Sequence, residues 1–220
     1  MKQTKDHFAT LRQRMVDAQL RARGICDPRV LTAMLAVPRE AFVPDALKED
    51  AYADAPQPIG ARQTISQPFT VAYMAEAAEL RGAEKILEVG TGSGYGAAVL
   101  SHLGAEVHTI ERLPALAERA AETLKRLGYS NVYVHLGDGS LGLAELAPFD
   151  AIVVTAGAAS LPPAYCEQLG EGGRIVIPIG KSERNQHMYR FRGARNELSM
   201  DDLGAFAFVP LIGEAGWHSA

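Results

Sequence analysis

The stretch Ile86-Leu-Glu-Val-Gly-Thr-Gly-Ser-Gly-Tyr-Gly96 sets a short apolar run before four glycines spaced two apart, and the apolar residues Ala97 to Leu100 follow. That order reads as strand, tight turn and helix. Gly90, Gly92 and Gly94 remove the side chains that would hold a ligand off the backbone, and the N–H groups opening the next helix face whatever sits there. The stretch is a nucleotide cradle. Gly92-Ser-Gly94-Tyr-Gly-Ala97 also meets the loose dinucleotide fingerprint, so the loop alone leaves the nucleotide open.

Three acids around the loop narrow the choice. Glu88 precedes the first glycine by two residues, Glu111 ends the apolar run Val107-His-Thr-Ile110, and Asp138 lies between Gly137 and Gly139. A carboxylate at the end of the second strand suits a ribose diol, and one after the third strand accepts from an adenine amino group. This pattern favours S-adenosylmethionine over a nicotinamide dinucleotide. The competing reading is plainer: solvated acids at strand ends for Glu88 and Glu111, and a turn aspartate for Asp138.

Composition bounds the rest. The 220 residues, 47% hydrophobic and 22% charged, make an ordinary globular mix with a substantial core. A formal net charge of −4 argues against a broad nucleic-acid footprint. No run approaches the length of a membrane span and the amino terminus carries no apolar signal region, so a cytoplasmic location is the expectation. The two cysteines, Cys26 and Cys166, form neither a disulfide framework nor a Cys-x-x-Cys pair, and the six histidines show no metal-ligand spacing. No metal is expected.

Residues His7 to Arg23 carry Phe8, Leu11, Met15 and Ala18 at helical spacing, with Gly24 as a stop. Asp27-Pro28 reads as an N-cap and first helical position for a helix that ends near Pro38. Asp45 is placed to cap a further short helix running through Ala46, Leu47 and Tyr52. Residues 1–54 therefore form a helical appendage, and 55–220 the main domain. From Ala53 to Pro68 the prolines and glycine predict a long irregular loop, and loops of that size are often functional. Thr64-Ile-Ser66 become candidate ligand contacts at the mouth of a helix over Phe69 to Leu80, where a hydroxyl suits a substrate carboxylate. The alternative is that Ser66 or Gln67 only caps that helix.

Beyond Ala83, strands Lys85 to Val89, Glu106 to Ile110 and Asn131 to Leu136 alternate with helices Gly96 to Leu103 and Pro114 to Leu127. Strand Asp150 to Thr155, helix Pro162 to Leu169 and strand Gly172 to Pro178 continue the pattern. Such alternation specifies an α/β fold with a parallel sheet and right-handed crossovers. His187 to Arg192 and Ala205 to Leu211 are predicted as a final antiparallel pair joined by Gly193 to Gly204. Seven strands result, giving a Rossmann-like sheet whose last two positions pattern alone does not order.

Along nearly its full length the chain resembles the bacterial protein-L-isoaspartate O-methyltransferases. The resemblance rests on Val37-Pro-Arg-Glu-Ala-Phe-Val43, on Pro58-Ile-Gly-Ala-Arg-Gln-Thr-Ile-Ser-Gln-Pro68, and on the glycine stretch itself. Thr-Ile-Ser-Gln-Pro immediately upstream of the cofactor strand is the specific part. Gly137-Asp-Gly139, Pro148-Phe-Asp-Ala-Ile-Val-Val-Thr155 and Phe208-Val-Pro-Leu211 are similar too. One position departs: relatives carry glycine where this chain has Arg62, so either a backbone conformation reserved for glycine is lost or a cation is gained near the substrate carboxylate.

The resemblance implies a seven-stranded methyltransferase fold, S-adenosylmethionine as cofactor, and isoaspartyl proteins and peptides as substrates, with a monomer favoured and neither nucleic acid nor membrane as partner. It implies that Ser66 is the active-site serine, with Thr64, Ile65 and Val209 bordering the substrate. It assigns cofactor contacts to Thr64, Glu88, Gly90, Thr91, Gly92, Ser93 and Gly94, to Glu111 at the ribose, and to Asp138 with Gly139 at the adenine. A carboxylate of pKa near 4 is already ionised at neutral pH, so no general base is needed. Three alternatives stand beside this reading: a nicotinamide oxidoreductase, which lacks a Tyr-x-x-x-Lys pair at Tyr165; a binding module without activity; and a methyltransferase acting on a small carboxylic acid.

Overall fold

The structure, a computed structural model, describes residues 2–182, 185–194 and 197–217. Nine strands occur among them: β1 Gln57–Gly60, β2 Gln63–Ile65, β3 Lys85–Val89, β4 Glu106–Glu111, β5 Val132–Leu136, β6 Phe149–Val154, β7 Leu169–Ser182, β8 Asn185–Ala194 and β9 Glu197–Phe206. The last seven form one sheet in the order β5-β4-β3-β6-β7-β8-β9. Pairs from β5 to β7 are parallel, and β8 and β9 are antiparallel. The seven-stranded sheet is as expected.

The helices are α1 Lys2–Met15, α2 Pro28–Ala36, α3 Pro68–Ala77, α4 Tyr95–Leu100, α5 Pro114–Leu127 and α6 Pro163–Gln168. Alternate residues along the strands feed opposite faces of the sheet. Ile86, Ala151, Val153 and Val176 join Met15, Met34, Met74, Val99, Leu116 and Leu124 in one core. Leu87, Ile152, Val154, Ile175 and Ile177 join Tyr165 and Leu169 in the other. The amino-terminal helices thus bury their apolar stripe against the first face. Asp27 caps α2 by accepting from Arg29 N, with Pro28 at the first turn, as the dipeptide predicted.

Four expectations need correction. The predicted 7–23 helix is not uniform, for α1 passes into a π turn at Val16–Leu20 and a 3-10 turn at Arg21–Arg23. Asp45 caps no helix and starts only a 3-10 turn, Asp45–Leu47; the bracketing Pro44 and the lack of a cap hydrogen bond leave nothing to propagate it. The segment from Ala205 to Leu211 is not the last strand. That strand is β9, whose polar residues hide it from an apolar pattern and which β8 holds through Arg190–Asp201 at 2.9 Å, Arg192–Asp201 at 2.6 Å and His187–Asp202 at 2.9 Å. Finally, the 53–68 loop contains the β1–β2 hairpin, with Gln57 opposite Ile65 and Pro58 opposite Thr64.

The hairpin turns on Ala61 and Arg62, both left-handed at φ 50° and 58°. Two successive positive-φ residues give the mirror-image turn that matches strand twist. The backbone conformation at Arg62 is therefore kept, at a steric cost that glycine would not bear. Arg62→Gly is expected to raise stability by roughly 0.5–1 kcal/mol, or about 1–4 °C in Tm. A calorimetric scan showing a lower Tm would contradict this account of the turn.

Candidate active site

Strand order reverses between β3 and β6, since β4 and β5 lie on one side and β7 on the other. A crevice opens beyond the carboxyl ends of strands at such a switch point. Gly90 follows β3 there and Thr155 follows β6. Thr155 N donates to Val89 O at 2.9 Å, and its Oγ1 donates to Gly90 O at 2.8 Å. A Cβ at Gly90, where φ is +96°, would collide with that Oγ1. Only glycine lets the chain turn over the strand end here.

The cavity at this point is lined by residues 63–66, 88–93, 110–112, 155–156 and 209–212, with Val71, Tyr95, Gly96 and Gly139. Of the residues singled out from sequence, Thr64, Ile65, Ser66, Glu88, Gly90, Thr91, Gly92, Ser93, Glu111, Gly139 and Val209 all lie on this wall. Gly94 and Asp138 do not. Gly94, at φ +87°, starts α4 with its Cα turned to Leu124 and Ala120 of α5, so its need is for packing space. Asp138 Oδ1 accepts from Ser140 N and Oγ, and Oδ2 accepts from Glu214 N at 2.7 Å, tying the last segment to the end of β5.

Glu111 is buried at the end of β4. Its Oε2 accepts from Gly92 N at 2.9 Å and its Oε1 from Leu113 N at 3.1 Å. The carboxylate thereby fixes the glycine loop to the second strand and keeps spare lone pairs toward the cavity. Glu88 is 1% exposed and accepts from Thr109 Oγ1 at 2.6 Å, with Thr109 in turn 2.7 Å from Thr91 Oγ1. Burial pushes the Glu88 pKa up to about 8; the Thr109 hydrogen bond opposes this and the charge of Glu111 adds to it. A Cβ at Gly96 would strike Glu88 Oε1, so glycine there leaves room for the carboxyl group.

Ser66 lies just before α3, whose N-cap is Gln67 with no side-chain cap and whose first turn begins at Pro68. Its hydroxyl therefore does not cap the helix, and no described residue engages it. The Ser66 carbonyl accepts from Arg39 Nη2 at 2.8 Å, while Arg39 Nε donates to Ala51 O at 2.7 Å. Arg39 is fully buried over the Tyr95 ring, 4.8 Å from its centroid, and burial lowers its pKa. This contact joins the Val37-Pro-Arg-Glu-Ala-Phe-Val43 segment to the Ser66 loop. Sequence reasoning missed Arg39 and Thr155 as site residues; a charged residue inside an apolar motif was the available signal for Arg39.

A second hollow adjoins the first and shares Gln63, Thr64, Ser66, Thr155, Val209 and Pro210 with it. Phe69, Phe206 and Phe208 make its apolar side. Ser66 and Thr64 thus stand where the two hollows meet. Cys26 and Cys166 are free thiols outside both. Among the described residues, no group of three or more His, Cys, Asp or Glu could hold a metal ion, and no helix is long and apolar enough to cross a membrane. His218 lies outside the described residues.

The family model described as Protein-L-isoaspartate(D-aspartate) O-methyltransferase (PCMT) matches residues 11–216. The chain is 51% identical over 212 residues to Protein-L-isoaspartate O-methyltransferase 1 of Syntrophobacter fumaroxidans, covering 96% of this chain and 99% of the relative. Protein-L-isoaspartate O-methyltransferase of Koribacter versatilis is 53% identical over 213 residues, covering 97% and 96%. A solved protein-L-isoaspartate O-methyltransferase superposes with TM-score 0.82 at 31% identity, over 93% of this chain and 67% of that one. A Plasmodium falciparum structure described as a beta-aspartate methyltransferase (PCMT), in complex with S-adenosyl-L-homocysteine, gives 0.79 at 28% identity, over 93% and 98%.

Proposed function

Because this chain belongs to the protein-L-isoaspartate(D-aspartate) O-methyltransferase family, we propose that Ser66 orients the substrate carboxylate while the cavity at the β3–β6 switch point seats the cofactor. The enzyme is an S-adenosylmethionine-dependent repair methyltransferase that esterifies the α-carboxylate of L-isoaspartyl residues in damaged proteins and peptides. When bound, the cofactor supplies an electrophilic methyl group on a sulfonium. The cavity fits it: Gly90, Gly96 and Gly139 leave no space for a Cβ against Thr155, Glu88 and Val89, so bare backbone makes the wall, and two carboxyl groups line it.

In this reading Glu111 accepts from the ribose hydroxyls through its free lone pairs. Glu88, with Gly90, Thr91, Gly92, Ser93 and Thr64, surrounds the methionine end, and Gly139 contacts the adenine, with Asp138 shaping that end of the site through its hydrogen bonds from Ser140 and Glu214 N. Gly94 serves the loop's shape. Thr64, Ile65 and Val209 border the substrate. Its carboxylate is ionised at neutral pH, so no residue has to remove a proton. Ser66 donates one hydrogen bond that sets the carboxylate's angle beside the Phe69, Phe206 and Phe208 side of the groove. Arg39 positions Ser66 through the main-chain carbonyl.

The observation that carries the proposal is the unengaged Ser66 hydroxyl at the junction of cavity and groove. Methyl transfer from labelled cofactor is expected to an isoaspartyl peptide and not to its aspartyl isomer. Ser66→Ala should lower kcat/KM about 10- to 30-fold, the loss of one hydrogen bond to a charged group, with S-adenosylhomocysteine affinity kept within about twofold. Unchanged turnover in Ser66→Ala would remove the serine from the mechanism. The proposal extends to a monomer acting in the cytoplasm without nucleic acid. The net charge of −4 supports the absence of a nucleic-acid partner.

A further inference from the structure

The groove beside Ser66 is lined by Arg23 and Arg62 and, among the described residues, by no carboxylate. The two cations are not equivalent. Arg23 is neutralised by Asp54 at 3.2 Å, and its guanidinium lies 3.7 Å from the Phe69 ring centroid. Arg62 is exposed and forms no ion pair with a described residue. Its Cα is held by the two-residue turn of the β1–β2 hairpin, two residues from Thr64, which borders both hollows. An uncompensated cation therefore stands at a fixed point on the rim of a groove whose other described lining, apart from the Asp54-paired Arg23, is aromatic, aliphatic or neutral polar.

We propose that Arg62 is a specificity-determining residue that selects isoaspartyl peptides carrying an acidic residue next to the damaged site. This rests on the reading that the peptide lies in the groove with its α-carboxylate at Ser66. With that group at Ser66, a neighbouring Asp or Glu side chain on the rim meets Arg62, the one cation among the described groove residues whose charge is not already balanced. An exposed pair of this kind acts through long-range attraction and is screened by salt. It raises kcat/KM mainly through KM.

The test uses the full chain and three isoaspartyl peptides of one sequence, with glutamine, glutamate or lysine in turn beside the isoaspartate, on each side separately. Wild type should prefer glutamate over glutamine three- to fivefold at low ionic strength on at least one side, and the ratio should fall toward one in about 0.5 M salt. Arg62→Gln should bring the ratio to one, Arg62→Lys should restore most of it, and Arg62→Glu should shift the preference to the lysine peptide. A ratio that is one in wild type, or that survives in Arg62→Gln, overturns the proposal. Ala207→Trp, which narrows the groove from an exposed position, separates the two readings. If it raises KM for every peptide while Arg62 variants change nothing, the groove holds the peptide and Arg62 is a bystander. If it changes no KM, the placement of the peptide in the groove fails as well.

Discussion

Replacing Glu111 by alanine is expected to weaken S-adenosylhomocysteine binding about 100-fold or more, measured by titration calorimetry. Two roles end together. The carboxylate accepts from Gly92 N and Leu113 N, so it shapes the glycine loop, and in the proposed mode it also accepts from the ribose diol. Hydrogen bonds to a charged acceptor contribute about 1.5–3 kcal/mol each. Losing two such contacts to the ligand gives about 3 kcal/mol once water takes part of the vacated space, and 1.4 kcal/mol corresponds to a factor of ten. Glu111→Gln keeps one carbonyl acceptor and should lose roughly tenfold. Stability should fall in Glu111→Ala too, since two backbone donors lose their partner at a 7% exposed site. Affinity within threefold of wild type would move the ribose away from Glu111.

The stability of the ligand-free enzyme should decline from pH 5 to pH 8.5, and Glu88→Gln should flatten that decline. Burial raises the Glu88 pKa from an ordinary 4.5 to about 8. Below pH 4.5 the group is protonated whether the chain is folded or not, and its contribution is fully present. Between the two values the unfolded chain releases the proton and the native state retains it, so rising pH favours unfolding. Above about pH 8 the contribution is lost. At about 1.4 kcal/mol per pKa unit the total is on the order of several kcal/mol, which for a chain of this size is roughly 10 °C in Tm. Glutamine keeps an acceptor for Thr109 and cannot ionise. Parallel Tm profiles for the two proteins would show that Glu88 is not the group responsible.

Several site features were legible because they need particular residue types at particular places. Gly90 must be glycine to turn at φ +96° against Thr155, and Glu111 could be placed at the end of the second strand from the apolar run before it. The hairpin at Gln57–Ile65 was hidden because Pro58 and Gly60 read as breakers, and its turn uses alanine and arginine where glycine or asparagine would have signalled it. β9 was hidden because charge pairing with β8 holds it in place of apolar alternation. Arg39 could be seen in its motif, but its partner, the Ser66 carbonyl, is 27 residues away in the chain.

By itself the sequence determined the alternation of strand and helix, the parallel sheet, the glycine turn with its flanking acids, and the loop that carries Ser66. Each of these rests on local periodicity or on a residue whose backbone or charge is uncommon, and such signals are carried within one element. Only the tertiary structure decided the order β7-β8-β9, the pairing of Arg39 with the Ser66 carbonyl, the commitment of both Asp138 oxygens to neighbouring groups, and the burial that raises the Glu88 pKa. Those depend on contacts between residues far apart in the chain and on the exclusion of water, which no local pattern encodes.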